Sequence, residues 1–116
     1  MHELSIAQGL VEQVLEISRE QSLVTIDEIA IDAGELRQVV PEVMQEAFVS
    51  VVKDTIAEVA RLTISEVSME AKCNLCKRVF KPEIDDYRCP DCNVAEVEIV
   101  KGNEIILRSI SGKGKE

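Results

Sequence analysis

Two Cys-x-x-Cys pairs, Cys73–Cys76 and Cys89–Cys92, stand twelve residues apart in a chain of 116, and they constrain the fold more than any other feature. A CxxC turn brings two sulfurs to one side of a tight loop. Two such turns facing each other complete a tetrahedral thiolate site, with Zn–S near ~2.3 Å. The stretch 70–100 needs such a centre. Its large apolar side chains are few, among them Leu75, Val79, Phe80, Ile84 and Tyr87. They cannot offset the entropy of ordering about thirty residues, so metal binding has to supply that free energy. A redox-active CxxC stands alone at a helix start after a strand. Here the motif is doubled and lies in turn-like surroundings, which sets structural zinc ahead of a redox pair or an iron–sulfur centre. Four protein ligands close the site and leave no position for a catalytic water.

Outside that stretch the hydrophobic pattern is regular. Leu4, Ala7, Leu10 or Val11, Val14 and Ile17 recur at helical spacing and predict a helix over about 3–21. Ser5 and Gln8 fit a capping box, unless the helix begins earlier and leaves Ser5 in its first turn. Gly9 inside it costs ~1 kcal/mol against Ala. Val24, Ile26, Ile29 and Ile31 with interleaved acids read as a half-buried strand near 24–32, with Gly34 as the turn after it. Pro41 opens a second helix, with Glu42 near the positive end of its dipole. Val43, Met44, Ala47, Phe48, Val51 and Val52 form its buried face to about Lys53. Strands follow near 60–69 and near 103–110, the last either extending the cysteine module or returning to the first sheet. Ser111–Glu116 reads as a flexible tail. The expected architecture is α+β: two helices packed on a small mixed sheet of about three strands, with an inserted zinc-ribbon-like module. Residues 1–69 plus 101–116 form the first domain and 70–100 the second.

Charge divides along the same line. Residues 1–69 hold 4 basic and 13 acidic side chains, which equals the whole net charge of −9. Phosphate neutralisation needs clustered Lys and Arg, so this balance argues against a general nucleic-acid binder. A zinc-ribbon module contacting nucleic acid or a transcription component is the alternative reading, supported by Lys72, Lys77, Arg78, Lys81 and Arg88. Glu83, Asp85, Asp86, Asp91 and Glu96 blunt that patch, and Phe80 and Tyr87 suit packing better than base stacking. An enzyme would need a nucleophile–base pair or an open metal. The chain has one histidine, and the Gly-Lys pairs of its tail lack the context of a phosphate loop. The most apolar stretch, Ala47–Val52, is far short of the roughly 20 residues of a membrane helix. No basic segment with a following apolar run marks a secretory signal. The expectation is a cytoplasmic protein with no membrane or nucleic-acid partner, monomeric or a weak homodimer, whose cysteines are ligands rather than disulfides.

The one histidine is His2. A lone His near a terminus is ordinarily a solvated side chain. Yet the terminal amine, the backbone nitrogen of His2 and its imidazole can close fused five- and six-membered chelate rings, with the amide or carboxylate of Glu3 as a fourth ligand. Such a nitrogen-rich, tetragonal set suits Ni(II) or Cu(II), and binding through a free amine weakens as pH falls.

Met1-His2-Glu3-Leu4-Ser5 together with the paired CxxC motifs resembles the HypA family of hydrogenase maturation nickel chaperones. The likeness runs over nearly the whole chain and includes the acidic strand before Gly34, the Pro41-Glu42 helix start, Phe48 and the cysteine spacing. It implies delivery of Ni(II) for [NiFe]-hydrogenase in concert with a HypB-type GTPase, the hydrogenase large subunit being the recipient. It implies nickel held by the Met1 amine, His2 and Glu3, and structural Zn(II) held by Cys73, Cys76, Cys89 and Cys92. It also implies that the last strand returns to the nickel-binding sheet. Family members often carry Gly just after the last cysteine, whereas Asn93-Val94 follows here, so the local turn is expected to differ. No His flanks the cysteines, so no pH-sensing zinc chemistry is carried over. Finally, Glu12, Glu16 and Glu20 form an acidic stripe that is either a solvated helix face or a surface for a basic partner.

Overall fold

The computed structural model describes residues 2–114. In order they form α1 (Glu3–Glu20), β1 (Leu23–Gly34), a 3-10 turn (Glu35–Arg37), α2 (Pro41–Val52), β2 (Arg61–Val67), β3 (Glu70–Cys73), β4 (Val79–Phe80), β5 (Val97–Lys101) and β6 (Ile105–Gly114). Two three-stranded sheets result, ordered β2-β1-β6 and β4-β3-β5. The chain divides into two compact units. One holds 1–31, 39–65 and 106–116; the other holds 32–38 and 66–105. Neither helix is long and apolar enough to cross a membrane.

In the first unit, α1 starts at Glu3 with His2 as its N-cap residue and no side-chain cap, so Ser5 lies in the first turn. Its buried stripe is Ala7, Leu10, Val11 and Val14, facing inward with Met44, Ala47, Phe48 and Val52 of α2. The expected face of α2 holds only in part. Val43 is 43% exposed and Val51 half-buried, because both lie at the flank of the stripe centred on Met44 and Phe48. Strand β1 buries Ile26, Ile29 and Ile31 but leaves Val24 exposed. Its two-residue alternation breaks between Ile26 and Ile29, where the Ile26 N–H is donated to the Ile56 carbonyl at 3.0 Å. The last strand joins the first sheet, as the family resemblance implies. It also continues through Ser111–Gly114, which the sequence reads as a flexible tail; Lys115 and Glu116 lie outside the described residues. The reason is Gly112. A Cβ there would stand 2.1 Å from the Thr25 carbonyl oxygen, so the strand packs closely only with glycine at that point.

The second unit contains the three short strands that the sequence left unassigned. β3 pairs antiparallel with β4, Ala71 opposite Phe80 and Lys72 opposite Val79. On its other side it pairs antiparallel with β5, Cys73 opposite Val97. The strands gather a small core of Ala71, Cys73, Phe80 and Cys89, with Cys92, Val97 and Ile99 packed against it. This unit also takes in residues 32–38. The Gly34 N–H is donated to the Glu104 carbonyl at 2.8 Å and the Leu36 N–H to the Gly102 carbonyl at 2.9 Å, while the Met69 N–H is donated to Glu35 Oε1 at 2.8 Å. Gly34 is not the turn the sequence suggests. Its φ of −66° and ψ of 140° are extended, and its missing side chain admits the Gly102 carbonyl oxygen, which a Cβ would meet at 2.3 Å. Gly102 has a φ of +90° and sits against the Met69 backbone.

Candidate metal centres

The cysteine site is built from two nearly identical knuckles. In the first, the Cys73 N–H is donated to the Arg78 carbonyl and the Lys77 N–H to the Cys73 carbonyl, both at 2.9 Å. In the second, the Cys89 N–H is donated to the Val94 carbonyl at 2.9 Å and the Asn93 N–H to the Cys89 carbonyl at 2.8 Å. Each loop turns back through a left-handed residue just after its second cysteine, Lys77 with φ 67° and Asn93 with φ 57°. Asn93 therefore performs the turn for which glycine is the commonest choice, Asn being among the few side chains that enter this region readily. The expected departure at this turn is one of residue type, with the left-handed backbone kept. Across the site, Arg78 Nη1 is 2.8 Å from Asp91 Oδ1, one exposed ion pair tying the two knuckles together.

All four sulfurs lie within 4.8 Å of one another, and Cys76 Sγ is 3.7 Å from Cys89 Sγ. That separation is far beyond a disulfide, and all four cysteines are free. A tetrahedral zinc with Zn–S of ~2.3 Å places its sulfurs about 3.8 Å apart, so the donor set fits zinc in number, chemistry and spacing. The electrostatics agree. The Cys76 N–H, helped by that of Leu75, brings the Cys73 thiol down to about 7 against the effect of burial. Crowding by the Cys76 sulfur, with burial, pushes the Cys92 thiol up to about 12. Four thiols this close cannot all ionise unless a cation sits among them. Cys73 and Cys89 are buried, Cys92 is intermediate and Cys76 exposed, so the first sulfur of each pair is anchored in the core.

The other candidate ligands lie in the first unit. Met1 is outside the described residues. His2 is exposed, and its carbonyl accepts the Ile6 N–H at 3.0 Å, which makes it the entrance to α1. Glu3 is only 5% exposed. Its Oε2 accepts the N–H of Val40 at 3.1 Å, a contact across 37 residues that no local pattern could have announced. Val40 is the N-cap residue of α2, so this carboxylate fixes the start of one helix against the start of the other. Glu12, Glu16 and Glu20 are all exposed.

A family model described as "Hydrogenase/urease nickel incorporation, metallochaperone, hypA" matches residues 1–112. The chain belongs to the HypA family. Hydrogenase maturation factor HypA of Prosthecochloris aestuarii is 34% identical over 113 residues, covering 96% of this chain and 98% of that protein. The HypA of Chlorobium luteolum is 32% identical over 110 residues, covering 95% and 94%. The solution structure of the Ni metallochaperone HypA from Helicobacter pylori covers 99% of this chain and all of its own, with a TM-score of 0.76 at 26% identity. As a HypA-family member the chain is a nickel metallochaperone of hydrogenase maturation. It is a carrier of metal and not an enzyme, with nickel as cargo and a four-cysteine cluster that fits structural zinc.

Proposed function

We propose that the cargo Ni(II) is held at the start of the chain by the Met1 amine, the backbone nitrogen and imidazole of His2, and Glu3. We propose further that Cys73, Cys76, Cys89 and Cys92 hold one structural zinc. On this reading the protein works in the cytoplasm, passing nickel to the hydrogenase large subunit together with a HypB-type GTPase. Nickel handling belongs to the unit that carries α1 and α2, and zinc to the other.

The observation that carries the reading is the contrast between neighbours. His2, the one histidine of the chain, is exposed where α1 begins, while Glu3 beside it is buried against the Val40 N–H. A fixed Glu3 holds the peptide between residues 2 and 3 in one orientation and leaves the imidazole accessible. Amide and imidazole nitrogens in a tetragonal set suit Ni(II). Accessible ligands at a chain end are also easily exchanged for those of a partner, as a carrier requires. The role of the zinc residues is to hold the second unit together; they take no part in exchange.

The test is Ni(II) calorimetry on zinc-loaded protein with its native first residue, beside His2→Ala and a variant extended by two residues before Met1. One equivalent bound by the native protein and lost in both variants is the expected result. Equal binding by all three would place nickel elsewhere.

A further inference from the structure

The four sulfurs of the cysteine cluster differ in how solvent reaches them. Cys73 and Cys89, the first of each pair, are 0% and 1% exposed, inside the small core they share with Ala71 and Phe80. Cys92 is intermediate and packs against that same core, while Cys76 is exposed. The cause is local. Residues 74–79 carry the first knuckle and the turn after it, and every one of them is exposed. An open sulfur in such a cluster is chemically unlike its buried partners. Zinc ligation holds cysteine as the thiolate at neutral pH, and the thiolate is the form that attacks electrophiles. Solvent access then decides which of the donors reacts. The Cys76 sulfur also has a partner for a second step already in contact. Its Sγ is 3.7 Å from Sγ of the buried Cys89, and closing that gap to a disulfide of ~2.05 Å takes a movement of under ~2 Å.

We propose that the cysteine cluster is a peroxide-responsive site: Cys76 is the residue that hydrogen peroxide oxidises, and Cys89 resolves it as a disulfide across the two knuckles. The proposal rests on the zinc reading above and adds a chemical reactivity to it. In the first step the Cys76 sulfur attacks one peroxide oxygen. The O–O bond breaks and hydroxide leaves, to be protonated by solvent, which gives the sulfenic acid. In the second step the Cys89 thiolate attacks the Cys76 sulfur. The S–S bond forms, the S–O bond breaks, and a second hydroxide leaves and is protonated. Two thiolates lose two electrons between them, and one hydrogen peroxide becomes two waters. Cys73 and Cys92 are then the donors left from the four, too few to retain the ion. The new bond ties the knuckles together where the metal did, so a thiol reductant and zinc restore the cluster.

The experiment follows zinc release from the zinc-loaded full chain in hydrogen peroxide with a chromogenic chelator, against a peroxide-free control, and maps disulfides by mass spectrometry after alkylation. Cys76→His and Cys92→His are the comparison pair, because three cysteines and one histidine also hold zinc. The first removes the reactive sulfur; the second keeps both Cys76 and Cys89. The native chain is expected to release one zinc for each Cys76–Cys89 disulfide formed, and dithiothreitol with zinc should reverse the change. Cys76→His should release zinc at least about tenfold more slowly, and Cys92→His at close to the native rate. Zinc retained by the native chain in peroxide overturns the proposal, and so does a disulfide confined to Cys73–Cys76 or Cys89–Cys92. Equal release from Cys76→His and the native chain does the same, since it moves the attack to another sulfur. Cys92→His as resistant as Cys76→His overturns it too, by showing that the number of thiolates sets the rate and not one exposed sulfur. If Cys76→His takes up no zinc, the disulfide map of the native chain decides alone. A native chain that binds no zinc refutes the zinc reading itself, and this proposal with it.

Discussion

The helix-bearing unit buries Val14, Ile26, Ile29, Ile31, Met44 and Phe48, whereas the cysteine unit buries little beyond Ala71, Cys73, Phe80, Cys89 and Met69. At about 1.5–3 kcal/mol for each large aliphatic side chain removed from water, the first unit has a core that can hold its helices on its sheet. The second has two cysteine knuckles where a core would be. There the proposed zinc would supply the stabilising term, its apparent contribution in small zinc domains being about 10–16 kcal/mol. The difference bears on how long each metal stays. The proposed zinc donors include two sulfurs sunk in the core they complete, so removal of the ion is expected to dismantle the fold around it. The proposed nickel donors include an exposed imidazole at a helix entrance, so that metal can leave with the fold intact.

Stripping zinc with a chelator, or replacing Cys73 by Ser, is the strongest way to break this contrast. Residues 66–105 are expected to lose their protected amides, while the far-ultraviolet dichroism of α1 and α2 persists. Hydrogen exchange read residue by residue decides it, and retained protection at Ala71 and Ile99 would show a second unit that stands without metal. Phe48→Ala probes the opposite side. It should cost about 3–5 kcal/mol in urea unfolding with no change in zinc content, and loss of zinc at the same midpoint would mean that the units fold as one. Gly34→Ala is next. Its Cβ must displace the Gly102 backbone, for about 1–3 kcal/mol of overpacking, and calorimetric melting should place that loss in the cysteine unit. The smallest effect has the opposite sign. Nothing lies within 4 Å of a Cβ built on Gly9, so Gly9→Ala should stabilise the helical unit by about 1 kcal/mol, seen as a higher melting temperature.

What could be read in advance follows the range of the forces involved. Helix α1 and helix α2 were legible because a 3.6-residue period and Pro41 at a helix start are local signals. The four cysteines were legible because their spacing is itself the geometry of the site. Strands β3, β4 and β5 were not, since β4 has two residues and β3 only four, too short for a two-residue alternation to stand out. Gly34 and Gly112 misled for a related reason. Each is required by a backbone from a distant part of the chain, and a sequence shows only that glycine is there. The Glu3 link to Val40 is of the same kind, since a glutamate beside the chain's one histidine shows nothing in the sequence of its hydrogen bond to an N–H 37 residues away. Asn93 offered the reverse case, a signal available in the residue type: asparagine, like glycine, tolerates the left-handed turn the knuckle needs.

The crossing of residues 32–38 with Gly102 and Glu104 has a consequence for how this protein is made. Neither unit is a continuous stretch of chain. The cysteine unit needs a segment translated before α2, and the helical unit needs β6, translated after the cysteines. On the ribosome, therefore, α1 with its histidine emerges early but cannot find its complete sheet, and the second cysteine pair, within the last 28 residues, comes out close to the end. Both units are finished by the same late event, the emergence of residues 102–114. A ribosome stalled a few codons short would leave α1 and β1 exposed without the strand that completes their sheet.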